Sequence, residues 1–192
     1  MFPPPLPPTM NLPTRKLLVL DLDETLIHAS ERPLEHEADF ELGAYFVYRR
    51  PHLEEFLRFA FAHFEVGVWT SSGEVYAEGI VSAIFSEQRP AFVWAGRRCS
   101  LRRDFNTDQY IATKRLAKLK SLGYALEQMI AIDDSPEKHG QNYGNLVRVK
   151  EFNGETDDAE LALLQKWLPA MKEVANVRKI EKRFWRQQAK AG

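Results

Sequence analysis

The sequence predicts a single α/β domain: a Rossmann-like parallel sheet with helices on both faces, a β-hairpin, a small β insertion and no large cap domain. Three observations carry this. Four short apolar runs, Leu17-Leu18-Val19-Leu20, Val66-Gly67-Val68-Trp69, Met129-Ile130-Ala131-Ile132 and Leu146-Val147-Arg148-Val149, have the length and composition of strands buried on both sides. Helical patterns fall between strand patterns, as in parallel strands joined by crossovers. Polar residues follow three of the runs directly, where open α/β sheets hold their ligands.

Residues 1–14 hold most of the prolines and are expected to form a flexible arm, with the domain proper over 15–170. The first core strand is about 16–21. Residues 29–41 are rich in Glu without a helical period. Phe40 to Tyr48 reads as a β-hairpin with Gly43 near its turn. Pro51 opens a helix to about His63, since proline is preorganised for a first helical turn, and Leu53, Phe56, Leu57 and Ala60 share one face. A helix over 74–86 follows the second strand, with Val75, Ile80, Ala83 and Ile84 as core positions. Residues 91–110 read as an irregular insertion with short strands. A helix at about 113–121 ends at Gly123. From Asp157, Leu161, Leu164, Trp167 and Leu168 form one stripe, which Pro169 kinks or breaks. Residues 171–192 read as a basic C-terminal helix with seven basic residues against two acidic, and Val174, Val177, Ile180 and Phe184 on one stripe. That helix either packs on the domain or docks a partner.

Composition narrows the function classes. The net charge of −1 argues against direct nucleic-acid binding through a large basic face. No apolar stretch approaches a membrane span, and the N-terminus lacks the pattern of a signal peptide. A cytoplasmic location fits, with a nuclear one left open. Cys99 is the single cysteine; an arginine six residues on would suggest a cysteine phosphatase, but Phe105 stands there, so Cys99 is read as structural. The five histidines have no metal-ligand spacing and are assigned to surface or packing.

Four polar signals remain. Asp21 and Asp23 follow the first strand, Thr70-Ser71-Ser72 the second and Asp133-Asp134 the third, and Lys114 lies at a helix start. Strand-end groups of a parallel sheet converge on one edge. Carboxylates, hydroxyls and a lysine meeting there suit Mg2+-assisted phosphoryl transfer: Mg2+ takes oxygen ligands, a carboxylate can act as nucleophile, and cations neutralise the phosphoryl oxygens. Thr70 and Ser72 could alternatively serve as helix N-caps, and Lys114 as a solvated helix residue.

At these residues the chain resembles the haloacid dehalogenase superfamily of phosphatases. Asp21-Leu22-Asp23-Glu24-Thr25 is similar to its first motif, Thr70 to its second, Lys114 to its third (Lys118 is the alternative) and Asp133-Asp134 to its fourth. Arg50-Pro51, Trp69-Thr70-Ser71-Ser72, Tyr76-Ala77 and Asp133-Asp134-Ser135-Pro136 resemble more narrowly the small phosphatases acting on the C-terminal domain of RNA polymerase II, the NLI-interacting-factor-like family. The resemblance implies roles. Asp21 would be nucleophile and metal ligand. Asp23 would be the acid and then the base, with its backbone carbonyl toward the metal. Thr70 and Ser71 would bind the phosphoryl group, and Lys114 would pair with it and with Asp21. Asp133 would bind Mg2+ directly, and Asp134 directly or through water. Arg97 and Arg98, in the insertion, could form a basic rim for a phosphorylated protein. The expected activity is Mg-dependent hydrolysis of a phosphomonoester through an aspartyl-phosphate, on protein phosphoserine or phosphothreonine. The alternatives are a phosphatase of a small metabolite or nucleic-acid end, and an inactive phosphate-binding scaffold.

Overall fold

The computed structural model describes residues 15–85, 88–103 and 108–191. The expected arm at 1–14 lies outside them. Strands β1 (Leu17–Leu20), β5 (Glu65–Trp69), β6 (Val93–Trp94), β9 (Met129–Asp133) and β10 (Leu146–Arg148) form one sheet in the order β10-β9-β1-β5-β6. Every neighbouring pair is parallel. From β1 the chain steps outward through β5 to β6, then returns to β9 on the other side of β1. The strand order therefore reverses between β1 and β9, the position where such sheets form a crevice at their carboxyl ends.

Alternation along the strands sends side chains to two layers. Leu18, Leu20, Val66, Val68, Ile130 and Ile132 face α1 (Leu53–His63), α2 (Glu74–Ile84) and α3 (Glu160–Trp167) in the larger core. Leu17, Val19, Met129 and Ala131 face a thinner layer that includes Leu116 and Leu119. In α1 the four anticipated core residues are all buried. In α2 the buried stripe is Ala77, Ile80, Val81 and Ile84. Val75 is 87% exposed, contrary to expectation, because it stands in the first helical turn two residues before that stripe.

The expected hairpin forms as β3 (Phe40–Leu42) and β4 (Tyr45–Arg49), turning through Gly43. A third strand, β2 (Ile27–Ser30), pairs antiparallel with β4 and was not anticipated. In the insertion, β7 (Ser100–Arg103) pairs with β8 (Tyr110–Thr113), while β6 joins the main sheet. Lys114 thus follows a strand instead of opening a helix. The helical segment is a 3-10 turn over Leu116–Leu122, which ends as expected at Gly123 with φ of 91°. Asn142 Oδ1 accepts the Leu116 N–H at 3.1 Å and so fixes where the turn starts.

The C-terminal stretch is not one helix. It divides into α4 (Pro169–Lys172), a 3-10 turn at Val177–Lys179 and α5 (Trp185–Ala191). Between the last two, the Lys182 ammonium donates to the Gly144, Val177 and Ile180 carbonyls and holds the backbone in an irregular path. α5 packs on α3, with the Trp167 indole donating to Gln188 Oε1 at 2.7 Å and Arg186 gripping the buried Glu160 through two bonds of 2.6 Å.

Arg50 ties these parts together. Its fully buried guanidinium donates to Asp158 through Nε and Nη2, both at 2.8 Å, to the Thr25 carbonyl at 3.0 Å and to the Lys150 carbonyl at 2.8 Å. Burial alone would raise the Asp158 carboxyl pKa; the Arg50 hydrogen bonds outweigh it and hold that pKa below the usual range. Asp158 also accepts the Glu160 N–H at the start of α3. Removing one partner of such a pair strands a buried charge, at a cost of roughly 3–5 kcal/mol. Asp158→Ala should therefore lower unfolding stability by about that amount in urea titrations at neutral pH. The native carboxyl titrates below its unfolded counterpart, so its contribution is present at neutral pH and fades on acidification. The gap between wild type and variant should narrow correspondingly at low pH.

Candidate active site

The site stands where β1 and β9 end. The backbone N–H of Asp21 bonds to the Ile132 carbonyl at 3.1 Å, so parallel pairing continues one residue beyond β1 and sets Asp21 beside Asp133. Both side chains are almost completely buried. Lys114 lies between them, with Nζ 2.8 Å from Asp21 Oδ1 and 2.6 Å from Asp133 Oδ2. The Lys114 backbone N–H bonds to the Lys138 carbonyl, and the Lys138 ammonium stands 3.6 Å from Asp21 Oδ2.

Electrostatics follow from this packing. Burial, and then the Asp133 charge, push the Asp21 carboxyl up to about 7 against the pull of the lysines. For Asp133, burial acts upward too, but Lys114 and His139 outweigh it and hold the carboxyl well below the usual range. For Lys114, burial acts downward and the two carboxylates override it, keeping the ammonium charged. Glu24 is raised to about 7 by burial and the neighbouring Asp23, Asp134 and Asp21 charges.

The two oxygens of Asp21 differ. Oδ1 accepts the Leu22 N–H at 2.9 Å and faces Lys114. Oδ2 is buried with no hydrogen-bond partner. Asp21, Asp133 and Asp134 each present an oxygen within 4.8 Å of the others. An orphaned carboxylate oxygen within a set of hard oxygen donors, where Asp21 is raised by burial and then by Asp133, fits a divalent cation.

Asp23 sits on a tight loop. Glu24 adopts a left-handed φ of 56°, strain of a kind that concentrates at functional sites, and the Leu26 and Ile27 N–H groups bond back to the Leu22 carbonyl. Three hydroxyls hold the Asp23 carboxylate: Tyr76 at 2.5 Å on Oδ1, with Ser72 at 2.6 Å and Thr70 at 3.4 Å on Oδ2. Burial, then the Asp23 charge, push the Tyr76 phenol far up, so it stays a donor. Thr70 is fully buried and also accepts the Ser72 N–H at 3.0 Å. Helix α2 starts at Glu74 with Gly73 at its N-cap, so neither Thr70 nor Ser72 caps it.

The remaining anticipated residues are placed as follows. Asp134 accepts the Thr25 hydroxyl at 3.3 Å and the Ser135 hydroxyl at 2.9 Å. Ser71 is half-buried, and its hydroxyl makes no hydrogen bond within this cluster; its carbonyl lies where a Cβ on Gly96 would come within 2.8 Å. That close approach sets the 96–98 turn against the Thr70 loop. Arg97 and Arg98 project from the turn: Arg97 reaches Glu74 at 3.5 Å and Arg98 lies over the Trp94 ring at 5.1 Å. Neither makes an ion pair with the carboxylate cluster. Lys118 bonds to the Arg98 carbonyl and takes no part in it. The Cys99 thiol is pushed up by burial and faces the Thr70 carbonyl at 3.8 Å, which suits a structural role.

Two participants were missed. His139, assigned from sequence to surface or packing, is buried with Nε2 2.9 Å from Asp133 Oδ2. Asn142 accepts from Leu116 through its oxygen, so its amide nitrogen donates to His139 Nδ1, and the proton sits on Nε2 facing Asp133. Lys138 is the other. Ser135-Pro136 starts a 3-10 turn that carries both residues back toward the strand end; a Pro-initiated turn straight after Asp133-Asp134 was the available signal.

Comparison with known proteins bears on the family and the fold. The family model for NLI interacting factor-like phosphatases matches residues 16–178. CTD small phosphatase-like protein 2 of Dictyostelium discoideum is 34% identical over 186 residues, covering 92% of this chain and 31% of that protein. CTD nuclear envelope phosphatase 1 of Xenopus tropicalis is 29% identical, covering 86% of this chain and 71% of that protein. The chain spans about half, or less, of the length of the first curated relatives it matches. In fold it is similar to the fission yeast RNA polymerase II CTD phosphatase Fcp1 bound to beryllium fluoride, with a TM-score of 0.56 at 19% identity over 92% of this chain and 55% of that one.

His139→Leu removes a donor from Asp133 and leaves the Asn142 amide nitrogen without its acceptor. Partners of this kind, acting behind the ligands, typically contribute 10–100-fold in metal affinity. Calorimetric titration with a divalent cation should show weakening in that range, and His139→Gln, which keeps a donor, should weaken binding less.

Proposed function

The chain belongs to the NLI interacting factor-like phosphatase family, and on that premise we propose that it hydrolyses phosphoserine or phosphothreonine on proteins through an aspartyl-phosphate. The observation that carries this reading is the Asp21 carboxylate, with one oxygen tied by Leu22 and Lys114 and the other buried without a hydrogen-bond partner, 3.6 Å from the Lys138 ammonium. That second oxygen has lone pairs free to attack phosphorus or to meet a cation. The family implies a divalent metal, and hard carboxylate donors favour Mg2+. Held by Asp21, Asp133 and Asp134, it would supply positive charge against the phosphoryl oxygens.

The residues then divide the work. Asp21 attacks phosphorus as the ester P–O bond breaks, and Asp23 gives its proton to the departing serine or threonine oxygen. Asp23, now a carboxylate, takes a proton from water; that water attacks phosphorus and frees Asp21. Hydroxyls can both donate and accept, so Thr70, Ser72 and Tyr76 can hold Asp23 in either protonation state. Thr70 and Ser71 would orient the phosphoryl group, and Lys114 would balance the charge that builds on it. Arg97 and Arg98 would meet the substrate at the rim.

A protein substrate is favoured by the open edge of the sheet. The interval from β1 to β5 is used by the three-stranded sheet and α1. That from α2 to β9 is used by β6, the β7–β8 pair and the 116–122 turn. No independently folded cap occurs among the described residues, so a phosphorylated side chain on a larger molecule could reach the cluster. No helix among the described residues is long and apolar enough to cross a membrane; we place the activity in the cytoplasm or nucleus.

Asp21→Asn should abolish turnover of p-nitrophenyl phosphate and of phosphoserine peptides while leaving the circular dichroism spectrum unchanged; a folded, active variant would reassign the nucleophile. Asp23→Asn should slow the chemical step by roughly 10²–10⁴-fold, the usual worth of positioned proton transfer. Excess EDTA should stop the reaction and Mg2+ should restore it. A kcat/KM for sugar phosphates or nucleotides above that for phosphopeptides would redirect the substrate assignment to metabolites.

A further inference from the structure

A groove of about 870 Å³ opens beside the candidate site. Its wall begins at Pro136, two residues after Asp134, and includes Arg148, whose Nε donates to the Asp134 carbonyl at 3.2 Å. The opposite wall is the irregular C-terminal segment from Arg178 to Arg186. Every charged residue lining the groove is basic except Glu181.

These cations are not equivalent. The Lys182 ammonium is consumed by three carbonyls. Arg183 pairs with Glu181, and Arg186 with Glu160. Arg178 and Lys179 are exposed and meet no carboxylate among the described residues, and Arg148 bonds only to a carbonyl. The internally paired cations set the shape of the wall, while Arg148, Arg178 and Lys179 retain charge for an outside partner. Tyr143, 61% exposed, adds an aromatic surface.

We propose that this groove binds an acidic or phosphorylated stretch of the substrate protein, a few residues away from the phosphoresidue held at Asp21. The proposal rests on the phosphatase reading above and extends it to substrate choice. Arg and Lys side chains without internal partners suit carboxylate and phosphate groups. A peptide is favoured over a nucleic acid or a membrane surface by form and charge. The basic residues are gathered in a concave groove, Glu181 interrupts them, and the chain as a whole carries −1.

The test uses the full chain and the double variant Arg178→Glu/Lys179→Glu. Both positions are exposed, so the fold should persist. A fluorescein-labelled, unphosphorylated peptide of alternating Ser, Asp and Glu is titrated by anisotropy. We expect binding that weakens as salt rises and falls at least tenfold in the variant. In parallel, wild type should show higher kcat/KM for a doubly phosphorylated peptide than for its singly phosphorylated counterpart. The variant should lose that preference while its p-nitrophenyl phosphate turnover stays unchanged. Equal binding by wild type and variant, or tighter binding of phosphatidylserine vesicles or of a single-stranded oligonucleotide than of the peptide, would overturn the proposal. Peptide binding without any ester hydrolysis would refute the phosphatase reading and leave the groove assignment standing; p-nitrophenyl phosphate hydrolysis without acidic preference would do the reverse.

Discussion

Two aspartates buried side by side at the ends of neighbouring strands repel each other, and the rest of this molecule is arranged around the cation that makes their proximity tolerable. Lys114 supplies that charge at 2.8 Å from Asp21 and 2.6 Å from Asp133. A lone buried charge would cost several kcal/mol, so the lysine must be delivered with little freedom. The β7–β8 pair ends directly before it, and its backbone is pinned to Lys138 on the Pro136 turn. The small β insertion is thus a mount for Lys114. Even so, Asp21 stays raised, and its free oxygen marks where further positive charge belongs.

A second layer keeps the first in place. Asp133 is held by the Ser135 N–H and by His139, which Asn142 orients. The Asp23 loop, with its left-handed Glu24, is braced from below by Arg50 through the Thr25 carbonyl, and the Phe152 N–H bonds to the Glu24 carbonyl. The same guanidinium fixes Asp158 at the head of α3, so the geometry of the loop and the stability of the domain share one buried residue.

Much of this was legible in the sequence because it depends on local pattern. The four apolar runs became the strands β1, β5, β9 and β10, and the residues just beyond them reached one edge because parallel strands have no other choice. Lys114 was recognised by motif order, but its setting was misread: the expected helix at about 113–121 gives way to a strand end and a 3-10 turn, which bonds to Lys138 and Asn142 hold. Val75 was misplaced because its helix starts one residue before it. The C-terminal stripe looked continuous, yet Lys182 donates to the Val177 and Ile180 carbonyls and anchors the segment to the Gly144 carbonyl in a non-helical path. His139 was missed because histidine spacing was tested for metal ligation alone, whereas it contacts the carboxylate of Asp133. Lys138 was missed because its approach to Asp21 requires knowing that the chain turns back at Pro136.

The claim on which the mechanism stands is that the Asp21 carboxylate becomes bonded to phosphorus during turnover. Borohydride quenching of the enzyme during hydrolysis of p-nitrophenyl phosphate, followed by peptide mass spectrometry, reads this directly, since an acyl-phosphate is reduced to the alcohol. The account predicts conversion of Asp21 to homoserine, absent without substrate and absent from Asp23, Asp133 and Asp134. Turnover at normal rate with reduction at another carboxylate, or with no residue reduced at all, would contradict it.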